Sequence, residues 1–329
     1  MYKCLIQGTG IAMPETRLAS TEIDRRIGKE AGWTEQQFRI RSRAVAGTDE
    51  TSSSLGAKAA RQALAAAGWE AESLDVIIGA CGVMEQPIPG TACLIQRRLG
   101  LGHSGIPAFD VNATCLSFLL GLDQACMGLA AKRWRRALIV SADIASAALD
   151  FSTPDASVIF GDGAAAVALE SGPGPSELLA SRLETYGDDA DFCTLAAGGT
   201  RVRPHADIDT FLSQAYFRMD SRQTFLAAAR RFPGFLDRLL NEAGLAPADV
   251  DLVVPHQASA PALAHLRRSF PHARKGIVDI FADHGNQIAA SLPTALHTAV
   301  ASGQLQRGDT ALLIGSSAGI SLGGALLRY

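Results

Sequence analysis

Two parts of this chain resemble each other at a nearly fixed spacing, which restricts the fold more than any single residue does. Ala67-Gly68 is followed by Asp75-Val-Ile-Ile78, and Ala243-Gly244 by Asp251-Leu-Val-Val254, an offset of 176 residues from Ala67 to Ala243. Arg136-Ala-Leu-Ile-Val-Ser-Ala142 matches Thr310-Ala-Leu-Leu-Ile-Gly-Ser316 at an offset of 174. The first pair reads as a helix end, a glycine stop, a short loop and a buried strand; the second as a further buried strand. A glycine-rich bend and a final strand follow in both copies, Ala164 to Leu169 and Gly323 to Leu327. The chain is therefore read as two copies of one αβ unit. Gly172-Pro-Gly-Pro175 continues neither a helix nor a central strand, so the halves are read as 1–172 and 173–329.

The strands are unbroken Val/Ile/Leu runs set between helices. Such runs predict the α/β class, with parallel-dominated sheets covered on both faces. Ser52-Ser-Ser54 precedes a helix over Leu55 to Ala67 that Gly68 stops, and Gly303 closes another over Ala289 to Ser302. Residues 188–220 are polar, contain glycine and lack a clear period; they are read as an excursion that covers the site. At 329 residues and 47% hydrophobic, the chain buries a large core. Its 33 acidic and 30 basic residues leave a net charge of −3, which argues against nucleic acid or another polyanion as partner. No apolar run reaches membrane-span length, and the first residues enter a strand pattern without a signal-peptide layout. Free thiols without an export signal point to the cytoplasm.

Within this frame Cys115, in Asp110-Val-Asn-Ala-Thr-Cys-Leu-Ser-Phe118, carries the chemistry. Ile106 to Val111 reads as a strand and Leu116 to Ala131 as a helix, so Cys115 stands at a helix start. There the helix N-terminus favours the thiolate, and free backbone N–H groups can receive an oxyanion. The same position also suits a small buried hydrophobe. Cys4, Cys81, Cys93, Cys126 and Cys193 form no CxxC pair and are read as packing residues. His256, in Val254-Pro-His-Gln-Ala258, follows a strand; Asn286, in His284-Gly-Asn-Gln-Ile288, sits at a helix start equivalent to that of Cys115. A twofold repeat brings all three to its centre. Taken singly, His256 closes a strand and Asn286 tolerates a left-handed turn. Together with Cys115 they hold an acyl thioester and stabilise charge beside it. His284 is read as turn structure or support, and Asp162 as a buried turn-forming carboxylate. His103, His205, His265, His272 and His297 are read as surface or packing residues.

With these residues in place the chain resembles the thiolase superfamily, and within it β-ketoacyl-ACP synthase III and its relatives. The likeness runs from Gln7-Gly-Thr-Gly10 through Pro107-Ala-Phe-Asp-Val111 and Phe160-Gly-Asp-Gly-Ala164 to Gly323-Gly-Ala-Leu-Leu-Arg-Tyr329. It implies the thiolase fold, an α/β architecture whose duplicated halves stack as α-β-α-β-α layers. It also implies that Cys115 accepts an acyl group and that His256 and Asn286 bind the thioester carbonyl of a malonyl extender. The N–H groups of Cys115 and Gly319 would form the oxyanion hole. A decarboxylative Claisen condensation follows, with no metal or redox cofactor. The substrates implied are acyl and malonyl thioesters of coenzyme A or acyl carrier protein. Trp33, Gln37, Ile88, Ser259 and Pro261 fall along the substrate path, and a homodimer is expected.

Departures from the family pattern narrow this expectation. Members that prime from acyl-CoA usually carry Trp and then Arg-Thr-Gly-Ile; here Trp33 is followed by Gln37-Phe-Arg-Ile40. After the His-Gln-Ala motif they commonly have Asn-Leu-Arg, where this chain has Ser259-Ala-Pro261. The losses point to a carrier-protein donor and a specialised fatty acid or polyketide-type pathway. Arg39, Arg41, Arg43, Arg267 and Arg268 are candidates for meeting an acidic carrier. Some relatives use a glutamate as acid/base from the region of Glu85. In hydroxymethylglutaryl-CoA synthases that position falls at Gly82, so Glu85 reads as a loop carboxylate at a dimer contact. Two other functions stand beside condensation: acyl transfer to an alcohol or amine, and a non-catalytic subunit of a heterodimer. Asn286 argues against the first, since simple transfer needs no enolate stabiliser; an intact Cys115 argues against the second.

Overall fold

The computed structural model describes residues 2–172, 174, 176–203 and 207–329. Pro173 and Pro175 of the expected joint, and His205, lie outside the described residues.

The first half runs β1 (Tyr2–Lys3), β2 (Leu5–Ala12), β3 (Thr16–Ala19), α1 (Ser20–Arg26), α2 (Trp33–Phe38) and β4 (Ser42–Val45). It continues through α3 (Ser52–Ala67), β5 (Val76–Gly79), α4 (Thr91–Arg98), β6 (Ala108–Asp110), α5 (Ser117–Ala130), β7 (Arg136–Asp143), α6 (Pro154–Ser157) and β8 (Gly163–Glu170). The second half opens with β9 (Glu177–Thr185), β10 (Cys193–Thr194), α7 (Ile208–Gln214), β11 (Arg218–Met219) and α8 (Ser221–Ala243). It closes with β12 (Leu252–Pro255), α9 (Ala260–Ser269), α10 (Phe281–His284), α11 (Ser291–Ala301), β13 (Thr310–Ser317) and β14 (Ser321–Arg328).

Local chemistry sets the ends of these elements. The Thr51 side chain accepts the N–H of Ser54 while Ser54 Oγ accepts that of Thr51, a reciprocal cap that starts α3 at Ser52, three residues before the expected Leu55. Gly68 at φ +68° and Gly244 at φ +66° stop α3 and α8 as equivalent caps. At the paired strand starts, Asp75 accepts the N–H of Arg136 at 3.0 Å and Asp251 that of Thr310 at 2.9 Å. The repeat seen in the sequence is thus a repeat of hydrogen bonds.

One sheet has the order β2-β8-β7-β5-β6 and the other β1-β9-β14-β13-β12. Only β5–β6, β5–β7 and β12–β13 pair in parallel; the remaining contacts of both sheets are antiparallel. The expectation of parallel-dominated sheets is corrected to mixed ones. A buried antiparallel strand has the same unbroken apolar run as a parallel one, so periodicity could not separate them. Helices α5 and α11 form the middle layer, where Leu119, Leu122, Leu292 and Leu296 meet Val76 and Ile78 of one sheet and Leu252 and Val254 of the other. Helix α3 covers the first sheet on its outer face, and α8 with α9 covers the second. The layers are α-β-α-β-α. Among the described residues no helix is long and apolar enough to cross a membrane.

Candidate active site

The middle layer places two backbone devices face to face. Before α5, Asn112 Oδ1 accepts the N–H of Thr114 at 2.8 Å, Thr114 has φ +52°, and Ser117 Oγ bonds the Thr114 carbonyl at 2.7 Å. Before α11, Asn286 Oδ1 accepts the N–H of Ile288 at 2.9 Å, Ile288 has φ +52°, and Ser291 Oγ bonds the Ile288 carbonyl at 3.0 Å. The internal partner of Asn286 is therefore Asn112, at the same 174-residue offset as the β7/β13 strand starts, and the partner of Cys115 is Ala289. The expected equivalence of Cys115 and Asn286 is off by three residues. A β-branched residue at positive φ is strained, and both copies hold one next to the site.

Cys115 lies in a 3-10 turn just ahead of α5 rather than in its first turn. It shares one cavity of about 510 Å³ with His256 and Asn286. His256 is 3% exposed; its N–H bonds Ile314 O at 2.8 Å and its Nδ1 lies 2.5 Å from Ser291 Oγ. Gly315 leaves room for the ring: a Cβ there would stand 2.6 Å from His256 Cβ. Because Asn286 Oδ1 is held by the Ile288 N–H, its Nδ2 is the atom left free to donate; it lies 3.4 Å from Ala258 O.

Burial governs the electrostatics. It lowers the His256 pKa to about 4, so the ring is neutral at neutral pH. It pushes the Cys115 thiol up, and the charge of Asp143 adds to that rise. Burial therefore acts on Cys115 against the helix start, which favours the thiolate. Asp143, fully buried at the end of β7, was not singled out in the sequence. It accepts N–H bonds from Gly82 at 2.8 Å, Val83 at 2.7 Å and Ala290 at 3.1 Å, and so joins the two halves beneath Cys115. Burial raises its pKa to about 7 against the pull of those donors.

Comparison with known proteins agrees with this arrangement. Residues 109–187 match the family model for 3-oxoacyl-[acyl-carrier-protein] synthase III, and residues 240–329 match the model for its C-terminal part. The chain is 35% identical to a β-ketoacyl-[acyl-carrier-protein] synthase III of Erythrobacter litoralis, over the whole of both chains. It is 32% identical, again end to end, to one from Neisseria meningitidis. This chain belongs to the β-ketoacyl-[acyl-carrier-protein] synthase III family. The crystal structure of the Aquifex aeolicus member superposes with a TM-score of 0.88 at 31% identity, covering 99% of this chain and 100% of that one. As a synthase III, the chain is an acyl-transferring condensing enzyme with the thiolase fold.

The other expected site residues divide. Gln37, Ser259 and Pro261 line the cavity of this synthase III, whereas Trp33 and Ile88 do not. Trp33 packs on Phe38 and under Lys29, and Ile88 is 86% exposed on its loop. Ser259 also caps α9 by accepting the Ala262 N–H at 3.4 Å. Gly319, at φ +137°, follows cavity-lining Ala318 in the β13–β14 turn. Glu85 accepts the Ser53 N–H at 2.6 Å at the start of α3 and lines a second cavity, not that of Cys115. Gly82 has no room for a glutamate, since a Cβ there would stand 2.4 Å from Ile288 Cγ2. Asp162 is structural as expected, accepting Ala46 and Ser146 N–H groups at 2.7 and 2.9 Å.

Three packing assignments change. Cys93 is exposed on α4, while Cys193 and His265 face the Cys115 cavity. Of the expected excursion over 188–220, in which 204–206 lie outside the described residues, Cys193, Leu195, Phe217 and Met219 line the cavity. Of the candidate carrier contacts, Arg43 is buried and bonds Val158 O and Ser20 Oγ. Arg41 and Arg267 are paired with Asp283 and Asp279. Arg39 and Arg268 are exposed and have no ion pair among the described residues.

Proposed function

We propose that Cys115 is the acyl-accepting nucleophile of this synthase III and that His256 and Asn286 stabilise the enolate of a malonyl-type extender. The observation that carries this reading is a single cavity lined by all three, with the asparagine fixed by a backbone N–H and the histidine by a serine. Cys115 takes the acyl carbon from a thioester; the donor's C–S bond breaks and the thiol proton passes to the departing sulfur. The extender then loses carbon dioxide, and charge grows on its thioester oxygen. Asn286 Nδ2 and a neutral His256 each donate a hydrogen bond there, worth roughly 3 kcal/mol apiece on the scale of oxyanion-hole deletions. The enolate carbon attacks the acyl-Cys115 carbonyl, whose oxygen is held by the Cys115 and Gly319 N–H groups. The C–S bond breaks, and the Cys115 thiolate so expelled takes up a proton from solvent.

His256 donates from Nε2 only if its Nδ1 is the acceptor. Ser291 has one hydroxyl proton and two acceptors within reach, His256 Nδ1 at 2.5 Å and Ile288 O at 3.0 Å. Turned toward Nδ1, it selects the tautomer this role requires. The reaction so written is complete without a metal or redox cofactor. Acyl carrier protein is the preferred donor partner, coenzyme A thioesters being the other source, and the assembly is a homodimer acting in the cytoplasm. Incubation with acyl and malonyl thioesters tests the reading: carbon dioxide and a new C–C product are expected. Acyl loading followed by transfer to an alcohol or amine, with no carbon dioxide, would replace it with simple acyl transfer.

A further inference from the structure

The sulfurs of Cys4 and Cys126 lie 2.9 Å apart in the core, and the condensation uses neither. Both are free thiols, yet their gap is within about 1 Å of a bonded S–S length, roughly 2.05 Å. Cys4 holds a particular place in the topology. It is the residue between β1, an edge strand of one sheet, and β2, an edge strand of the other. Cys126 stands on α5, in the layer between those sheets. The pair joins the crossing from sheet to sheet to the helix on which both sheets pack.

The two thiols are not alike. The Cys4 sulfur accepts the S–H of Cys126 and the backbone N–H of Leu178, and these bonds together outweigh burial and pull its pKa below the ordinary value. The same bond raises the pKa of its donor, Cys126, and burial adds to that rise. The thiolate is the attacking form, so Cys4 meets an oxidant first and Cys126 follows. Access comes through β1. This strand has two paired residues, Tyr2 with Leu178 and Lys3 with Glu177, and no strand on its other side. So short an edge opens locally at a small part of the cost of unfolding, and Cys4 is uncovered while β9 stays paired with β14.

We propose that Cys4 and Cys126 form a disulfide driven by hydrogen peroxide, which clamps the β1–β2 crossing onto α5. The Cys4 sulfur attacks one peroxide oxygen, the O–O bond breaks, and the departing hydroxide leaves as water with the Cys4 proton. The sulfenic acid on Cys4 is then attacked by the Cys126 sulfur. The S–O bond breaks, and a second water leaves with the Cys126 proton. Two thiols have lost two electrons and the peroxide oxygens have gained them. A dithiol reductant reverses the change. The closed loop runs from Cys4 to Cys126 and suppresses the opening of β1.

The test treats the reduced full chain with hydrogen peroxide, blocks the remaining thiols by alkylation, and maps the unreduced digest by mass spectrometry. A cross-link between the Cys4 and Cys126 peptides is expected, and dithiothreitol should remove it. The thermal midpoint of the linked protein should lie about 5 °C or more above that of the reduced protein. Cys115→Ala takes the cavity thiol out of competition and should form the same link at the same rate. In Cys126→Ala the sulfenic acid on Cys4 has no thiol to meet and should be trapped by dimedone. In Cys4→Ala, Cys126 should remain an alkylatable thiol. If Cys4 and Cys126 are both still alkylated after denaturation while exposed Cys93 has oxidised, the proposal is overturned, and that result needs no variant. A link that forms only in denaturant overturns it too, because native packing would not be what brings the sulfurs together. A native link with an unchanged midpoint overturns the clamp.

Discussion

Cys115, His256 and Asn286 stand out in the sequence because each sits in a short motif, but what tunes them comes from far along the chain. Asp143 and Ser291 reach the site only through the fold, and neither has a distinctive local pattern. Cys115→Ala should leave the fold intact and abolish the acyl adduct; a stable adduct on that variant by intact mass would remove Cys115 from its role. His256→Ala and Asn286→Ala should still load but lose about 100-fold or more of decarboxylation. Decarboxylation at the parent rate with failed loading would mean the roles are reversed. Ser291→Ala should load normally and lose about tenfold in decarboxylation, because it orients His256 without touching substrate. Asp143 supplies a pH signature. Its folded pKa of about 7 lies above the usual 3.8, so its contribution to stability falls as pH rises between those values and stays low above them. Asp143→Asn should flatten that part of the stability curve. It should also move the pH profile of Cys115 loading to lower pH, since a charge that raises the thiol pKa is gone. An unmoved loading profile would show that Asp143 does not act on Cys115.

At the scale of elements, glycine marks where helix and strand meet without side chains. Gly8 and Gly10 of β2 lie under α3, where a Cβ would stand 2.1 Å from Ala63 O and 2.3 Å from Ala59 O. The Gln7-Gly-Thr-Gly10 motif of the family likeness thus has a packing cause. Neither contact can yield without moving the helix backbone, so Gly8→Ala should cost about 2 kcal/mol or more of stability. Thermal or denaturant unfolding checks this; a loss under about 0.5 kcal/mol would mean that α3 shifts freely. Helix ends were legible because glycine stops act within a few residues, as at Gly68 and Gly244, whereas the Thr51 cap that starts α3 at Ser52 went unread behind the serine run. Strand direction was not, because it is set by partners far away in sequence. The three-residue turn between β13 and β14 is a local sign of antiparallel pairing, and it was read only as a glycine-rich bend.

For the whole molecule, the duplication visible at offsets of 174 and 176 residues predicted two halves meeting at one centre, and the two sheets meet across α5 and α11. Which surface faces the donor was less legible, because charge runs do not reveal their pairing. Arg43 proved buried, and Arg41 and Arg267 are held by Asp283 and Asp279. Arg39 and Arg268 remain exposed, and so does Arg222, which lines the cavity. Gln37, Ser259 and Pro261 stand in the cavity wall where related enzymes hold the pantetheine end with an arginine and an asparagine. Free acyl-CoA depends on such small contacts, whereas a carrier protein brings a docking surface whose charge complementarity offsets their loss. Loading of Cys115 from an acyl carrier protein should therefore exceed loading from the matching acyl-CoA. The carrier rate should fall as salt is raised, because exposed charges separated by more than about 10 Å are screened at 0.1 M. Arg268→Glu should lower the carrier rate and its salt sensitivity together while changing the acyl-CoA rate little. Faster, saturable transfer from acyl-CoA at low micromolar concentration, indifferent to salt and to Arg268→Glu, would overturn the carrier assignment and return this enzyme to acyl-CoA priming.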